Sequence, residues 1–294
     1  MNNTQKIKQF VLDQGMALVG IASVDRFDDV PYGRKPTEIL PGAKSVIVFG
    51  ARLVDGSVQA RFRVDQDGRK DMENVYGRYS HGPTMNVFLM GVTYSLAHYI
   101  EKNMGAVALP TMVGPISISR PFSHRHAAVA AGLGEFGWNN AVVTPQYGPR
   151  VRFGAVITQL ELEPDPLYKG PKLCNPDKCR ICVDVCPTKA LPAPGEREPM
   201  SFTCEDKVDF FADVNVNRCR IACYGLTKAT GGKKDFVTSL DPTKEELERA
   251  IRENEPEPGA LTREPTWKCD RCIAYCPLGA WDKRFAAKGL VKPL

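Results

Sequence analysis

Ten cysteines, none of them before position 174, constrain this 294-residue chain more than any other feature. Four stand in the run Cys174-Asn-Pro-Asp-Lys-Cys179-Arg-Ile-Cys182-Val-Asp-Val-Cys186-Pro187, and three in Cys269-Asp-Arg-Cys272-Ile-Ala-Tyr-Cys276-Pro277. Thiolate sulfur is the ligand that holds a 4Fe–4S cube. In a C-x2-C-x3-C-P ending, three cysteines wrap one cube and the fourth, turned away by the proline, reaches its neighbour. Two such endings predict two clusters that exchange ligands. A zinc site would pair C-x2-C units without the fourth Cys-Pro, and a disulfide framework suits a short secreted chain.

The crossed pattern assigns Cys174, Cys179, Cys182 and Cys276 to one cube, and Cys186, Cys269, Cys272 and one further cysteine to the other. The eighth ligand is Cys204, Cys219 or Cys223. Cys219, in a short segment after Asn217-Arg218, is preferred, with Cys223 next; Cys204 reads as a buried small hydrophobe.

A hydrophobic content of 43% allows a proper core, and the confinement of cysteine to the later part predicts two domains. The formal net charge of +5 is no nucleic-acid signal, because thiolate-bound cubes carry compensating negative charge and no basic run occurs. The first residues contain neither a twin-arginine pair nor an apolar signal core, and no window approaches the roughly 18 apolar residues of a membrane span. A cytoplasmic location is expected, since reducing conditions preserve thiols.

Thr4 is placed to cap a first helix, with Gly15 to end it. Met16 to Val24 reads as a strand, and the unbroken apolar run Ser45–Gly50 as a strand buried on both faces. Residues 54–83 read as a long polar excursion. A helix is predicted over 84–102, with Val87, Phe88, Met90, Gly91, Tyr94, Ala97 and Ile100 on one side. Strands at 105–113, 141–144 and 151–159 and a short Ala-rich helix at 123–131 complete an alternation that implies α/β layer packing up to about residue 165. The long insertion 187–268 contains a capped helix after Asp241 and is expected to dock on the first domain.

Gly132-Leu-Gly134-Glu-Phe-Gly137 matches G-x-G-x-x-G, but the helix before it and the prolines after it leave no place for a dinucleotide-binding unit. Its glycines either let backbone approach a flat ligand or form a tight helix-to-strand turn. Among the four histidines, His98 reads as structural, and His124 and His126 point to different faces. His81, close to Tyr76 and Tyr79, is the best local candidate for a general acid, because phenol and imidazole both donate protons.

With these residues in view the chain resembles the epoxyqueuosine reductase and reductive dehalogenase superfamily over nearly its whole length. The segments that carry this are Gly15-Met-Ala-Leu-Val-Gly20-Ile-Ala, Leu40-Pro-Gly-Ala-Lys-Ser-Val-Ile-Val, Ala131-Gly-Leu-Gly-Glu-Phe-Gly-Trp-Asn139, Thr144-Pro-Gln-Tyr-Gly-Pro-Arg-Val-Arg152 and both cysteine motifs. The resemblance implies an α+β chain: a nitroreductase-like domain over 1–165 that holds base-off cobalamin, then a ferredoxin-like domain over 166–294 with two 4Fe–4S clusters. It places Gly132, Gly134, Trp138, Asn139 and Gly148 along the corrinoid and favours Cys219 over Cys223.

It further implies an oxidoreductase that takes single electrons from an external low-potential donor of ferredoxin or flavodoxin type. The electrons would serve reductive cleavage of a small-molecule or modified-nucleoside substrate, with Tyr76, Tyr79 or His81 supplying a proton. The acidic residue that epoxyqueuosine reductases carry before the glycine segment is absent from Ile118-Ser-Arg-Pro121-Phe-Ser-His-Arg125. No helical-repeat region follows Leu294, so nucleic acid is not expected as a partner. Two other readings are an electron-transfer or corrinoid-handling protein without its own substrate, and flavin in place of cobalamin.

Overall fold

The computed structural model describes residues 1–30, 35–60, 80–111, 122–232, 234–254 and 269–279. Its strands there are β1 (Leu18–Ser23), β2 (Ser45–Arg52), β3 (Ala108–Pro110), β4 (Glu135–Phe136), β5 (Val142–Val143), β6 (Val151–Thr158), β7 (Met200–Cys204) and β8 (Lys207–Phe211). One four-stranded sheet runs in the order β1-β2-β6-β3, and every pairing in it is antiparallel. The α/β layering expected from the alternation is therefore corrected: helices cover both faces, but no crossover makes neighbouring strands parallel.

The apolar run in β2 has a simple cause. Val46 and Val48 enter a core with Ala127–Ala131, Phe136 and Phe153, while Ile47 and Phe49 enter a second core with Ile7, Leu96 and Ile100. Alternate side chains of one strand thus feed opposite cores, so no position faces water until Arg52. Truncating a fully buried phenylalanine such as Phe49 costs about 3–5 kcal/mol.

The first helix, Asn3–Asp13, is capped by Asn2 rather than Thr4. Asn2 and Gln5 close a reciprocal capping box, whereas Thr4 lies inside the helix and its hydroxyl accepts the Glu163 amide at 3.1 Å. Residues 55–60 and 80–90 are helical, so the expected polar excursion is shorter than 54–83. A π-helical stretch, Pro83–Leu89, runs into the helix Met90–Met104. That helix buries Val92, Thr93, Leu96, Ala97 and Ile100, and Val87, Phe88 and Tyr94 of the expected inner side are exposed.

The β7–β8 hairpin was not visible as such in the sequence. Its inward residues Phe202, Cys204 and Phe211 join the same core as helix His124–Ala130, where Phe202 meets His126 edge-on with ring centres 4.7 Å apart. Part of the insertion between the cysteine motifs therefore packs into the core begun by residues before 165. Among the described residues no helix is long and apolar enough to cross a membrane.

Candidate metal centre

The motif cysteines sit on short local elements. Cys182 lies in the single turn Ile181–Asp184, Cys272 in Arg271–Ala274, and Cys219 and Cys223 one turn apart on Val216–Tyr224. The last helix starts where Asn215 accepts the Arg218 amide and ends at Gly225, whose φ of 61° is left-handed.

The sulfurs fall into two neighbourhoods. Burial pushes the Cys182 thiol up to about 12, with Cys174, Cys276 and Cys179 adding to the shift. Burial likewise takes Cys276 to about 11, with Cys174 and Cys179 adding and Arg150 opposing. In the other neighbourhood Cys269 is pushed to about 12 by burial, with Asp270, Cys219 and Cys186 adding. Cys272 is raised by burial and then by Cys269, Cys219, Cys182 and Cys186. Cys174, Cys179, Cys182 and Cys276 thus neighbour one another, and Cys269 and Cys272 neighbour Cys186, Cys219 and Cys223; the two sets adjoin where Cys182 meets Cys272.

Thiols this desolvated stay protonated at neutral pH unless positive charge draws the proton off, which is what a bound metal does. Backbone amides already point at the sulfurs. Trp138 N–H donates to Cys174 Sγ at 3.3 Å and Ala190 N–H to Cys186 Sγ at 3.2 Å. The amides of Val183, Arg271 and Leu278 serve Cys182, Cys269 and Cys276. Such bonds stabilise anionic sulfur and are one of the protein's levers on an iron–sulfur cluster. Among the described residues no three His, Cys, Asp or Glu side chains converge tightly enough for a single ion. The donor set fits the iron–sulfur group.

Cys223 stands 3.8 Å from Cys219, sulfur to sulfur. The hydrogen bond between the two sulfurs lowers Cys219 from the ordinary thiol range and raises Cys223, an effect burial reinforces at Cys223. Cys204 lies apart in the first core, its thiol pushed up to about 11 by burial.

Trp138 and Asn139 face the cysteines. The indole is 6% exposed, packs among Cys174, Cys182, Cys186 and Cys272, and donates to the Pro192 carbonyl at 2.9 Å. Asn139 Nδ2 donates to the Cys272 carbonyl at 2.8 Å, tying the glycine segment to the second motif. The glycines assigned to a corrinoid are closed off by the chain itself. A Cβ on Gly132 would lie 2.1 Å from the Pro166 carbonyl, on Gly134 2.2 Å from that of Val143, and on Gly148 2.4 Å from that of Leu278. At Gly132 and Gly134 the close approach is to the chain's own carbonyls, as a tight turn requires.

Tyr76 and Tyr79 lie outside the described residues, as does the stretch 118–121. His81 is buried, not on a surface loop, and burial together with the Arg152 guanidinium pushes it down to about 3. At neutral pH it is uncharged, so only its neutral N–H has a proton to give.

Two site residues escaped the sequence reading. Glu135 accepts the amides of Leu173 at 2.6 Å and Cys174 at 3.1 Å and so anchors the start of the first motif. Arg150 is buried, donating to the Cys276 carbonyl at 2.7 Å, the Ile273 carbonyl at 3.4 Å and the Leu278 carbonyl. An acidic residue inside a glycine-rich motif and an arginine just ahead of the apolar strand β6 were the signals.

No family model matches the chain. It is 27% identical over 233 residues to an epoxyqueuosine reductase of Staphylococcus aureus, covering 70% of this chain and 58% of that protein. Over 117 residues it is 38% identical to a tetrachloroethene reductive dehalogenase of Desulfitobacterium hafniense, covering 39% of this chain and 19% of that one. Its relatives are epoxyqueuosine reductases and reductive dehalogenases. The chain spans little more than half the length of the Staphylococcus reductase. Its mixed helix-and-sheet fold is similar to that of an epoxyqueuosine reductase from Bacillus subtilis, with a TM-score of 0.52 at 17% identity, covering 94% of this chain and 64% of the other.

Proposed function

We propose that this protein is an iron–sulfur oxidoreductase, related to epoxyqueuosine reductases and reductive dehalogenases, with two 4Fe–4S clusters. Cys174, Cys179, Cys182 and Cys276 would hold one, and Cys186, Cys219, Cys269 and Cys272 the other. The observation that carries this reading is the gathering of eight half-buried cysteines, five of whose sulfurs accept a backbone N–H bond. When bound, such cubes supply single electrons at low potential. The chain's own part is to keep water from the sulfurs with Trp138 and Tyr275, to orient the second motif through Asn139 and Arg150, and to fix the first through Glu135.

Residues 1–165 are proposed as a nitroreductase-like domain and 166–294 as a ferredoxin-like one, fed by a ferredoxin or flavodoxin. A corrinoid as electron acceptor, and reductive cleavage of a small molecule or modified nucleoside, rest on the resemblance alone. A second reading has one observation in its favour: Gly132, Gly134, Trp138, Asn139 and Gly148 are all taken up by contacts within the chain. In that reading the protein passes electrons to a partner and turns over no substrate of its own. Visible and EPR spectra of oxygen-free protein, before and after incubation with cobalamin, separate the two. A stoichiometric base-off corrinoid signal supports the reductase, and cluster signals alone support the carrier.

A further inference from the structure

A cube takes four thiolates, and the second sulfur neighbourhood offers a fifth cysteine beside Cys186, Cys219, Cys269 and Cys272. That fifth residue is Cys223. It stands one turn after Cys219 on the helix Val216–Tyr224, so both thiols leave the same face, and their sulfurs are 3.8 Å apart. Cys223 is 8% exposed and packs in one small core with Cys219, Cys269, Ala274 and Tyr275. Cys204 is buried too, but among Phe202 and Phe211, where a small hydrophobe is all the site asks for. The helix that carries Cys219 and Cys223 is held firmly. Asn215 caps its start, Gly225 ends it, Asn254 Nδ2 donates to the Tyr224 carbonyl at 2.6 Å, and Ile221 packs against Leu226 and Leu247. Exchanging one sulfur for the other therefore asks for side-chain rotation and no change of backbone.

We propose that Cys223 is a reserve ligand of the second cube, able to take the place of Cys219 on the same iron. This rests on the two-cluster reading above. In the exchange the iron–sulfur bond to Cys219 breaks and one to Cys223 forms, while the Cys223 proton passes to the released Cys219 thiolate across the contact between them. No electron changes hands and the charge of the site is unchanged, so no further reagent is needed. Where Cys219 has been removed, the proton goes to water instead. The cube is thereby kept when Cys219 is lost to substitution or oxidation.

The test is iron and acid-labile sulfide analysis, with EPR of the reduced state, on the full-length, oxygen-free protein as wild type, Cys219→Ala, Cys223→Ala and the double variant Cys219→Ala/Cys223→Ala. Wild type and Cys223→Ala should each hold about eight irons and give the same spectrum. Cys219→Ala should also keep about eight, with a shifted signal that reports the changed ligand, and the double variant should fall to about half. Cys219→Ala falling as far as the double variant would overturn the proposal. So would full iron in the double variant, which would place the ligand elsewhere, or loss in Cys223→Ala alone, which would make Cys223 the ordinary ligand. A Cys219→Ala chain that fails to fold where Cys223→Ala folds counts against it as well, because a reserve ligand would have preserved the cluster. Wild-type protein without iron would remove the two-cluster reading itself, an outcome distinct from a cluster that Cys223 does not hold.

Discussion

The backbone amide of Trp138 donates to Cys174 Sγ at 3.3 Å while its indole N–H donates to the Pro192 carbonyl at 2.9 Å. One residue of the glycine segment thereby holds the loops on both sides of the first cysteine motif. Trp138→Phe keeps most of the packing but strands a buried carbonyl, and should cost about 1–3 kcal/mol in a denaturant titration. Trp138→Ala should cost about 3–5 kcal/mol and release iron faster to a chelator.

Glu135 anchors the same loop from below, accepting two successive amides with one carboxylate oxygen. Glu135→Ala leaves both without this acceptor and should destabilise the protein by about 1–3 kcal/mol. Iron retention during dialysis should fall with it, whereas Glu135→Gln, which retains an acceptor oxygen, should lose less.

Gly148 has a φ of 57° and its missing side chain faces the Leu278 carbonyl. Gly148→Ala must adopt the left-handed region at about 1–2 kcal/mol and also push that carbonyl away. The expected outcome is a lower denaturation midpoint together with a weakened second motif, read as loss of about half of the bound iron on mild chelation.

His81 and His126 are both buried, and in each case burial, helped by a neighbouring arginine, pushes the imidazole down to about 3. Their folded values lie below the ordinary 6.5, so between about pH 6.5 and 3 the unfolded chain binds more protons than the folded one. Stability is therefore fully present above 6.5 and is lost as pH falls, by up to about 1.4 kcal/mol per pH unit for each histidine. Denaturation midpoints from pH 7.5 to 5 check this, and His126→Leu should show a shallower slope than wild type.

Much of this was legible in the sequence for physical reasons. Thiol spacing has few alternative uses, and the continuous run of β2 cannot sit at a surface, so the cysteine motifs and the central strand stood out. The inner side of helix Met90–Met104 did not, because Val87, Phe88 and Tyr94 are apolar yet exposed, and composition alone does not show which stripe meets the sheet. The β7–β8 hairpin was hidden by its shortness, although Phe202 and Cys204 alternate with polar neighbours and Glu205, at a φ of 54°, marks the turn. At the site the glycines were legible as close approaches. What they approach, the carbonyls of Pro166, Val143 and Leu278, is a matter of tertiary contact that no local pattern encodes.

The central claim is that two groups of four cysteines hold two cubes, with Cys204 outside both. Iron and acid-labile sulfide analysis of oxygen-free wild type, Cys276→Ala and Cys204→Ala tests it most directly. About eight irons and eight sulfides per wild-type chain, a loss centred on one cluster in Cys276→Ala and no loss in Cys204→Ala are the predicted results. Stoichiometric zinc in place of iron, or iron near zero in anaerobic wild-type protein, would contradict the account.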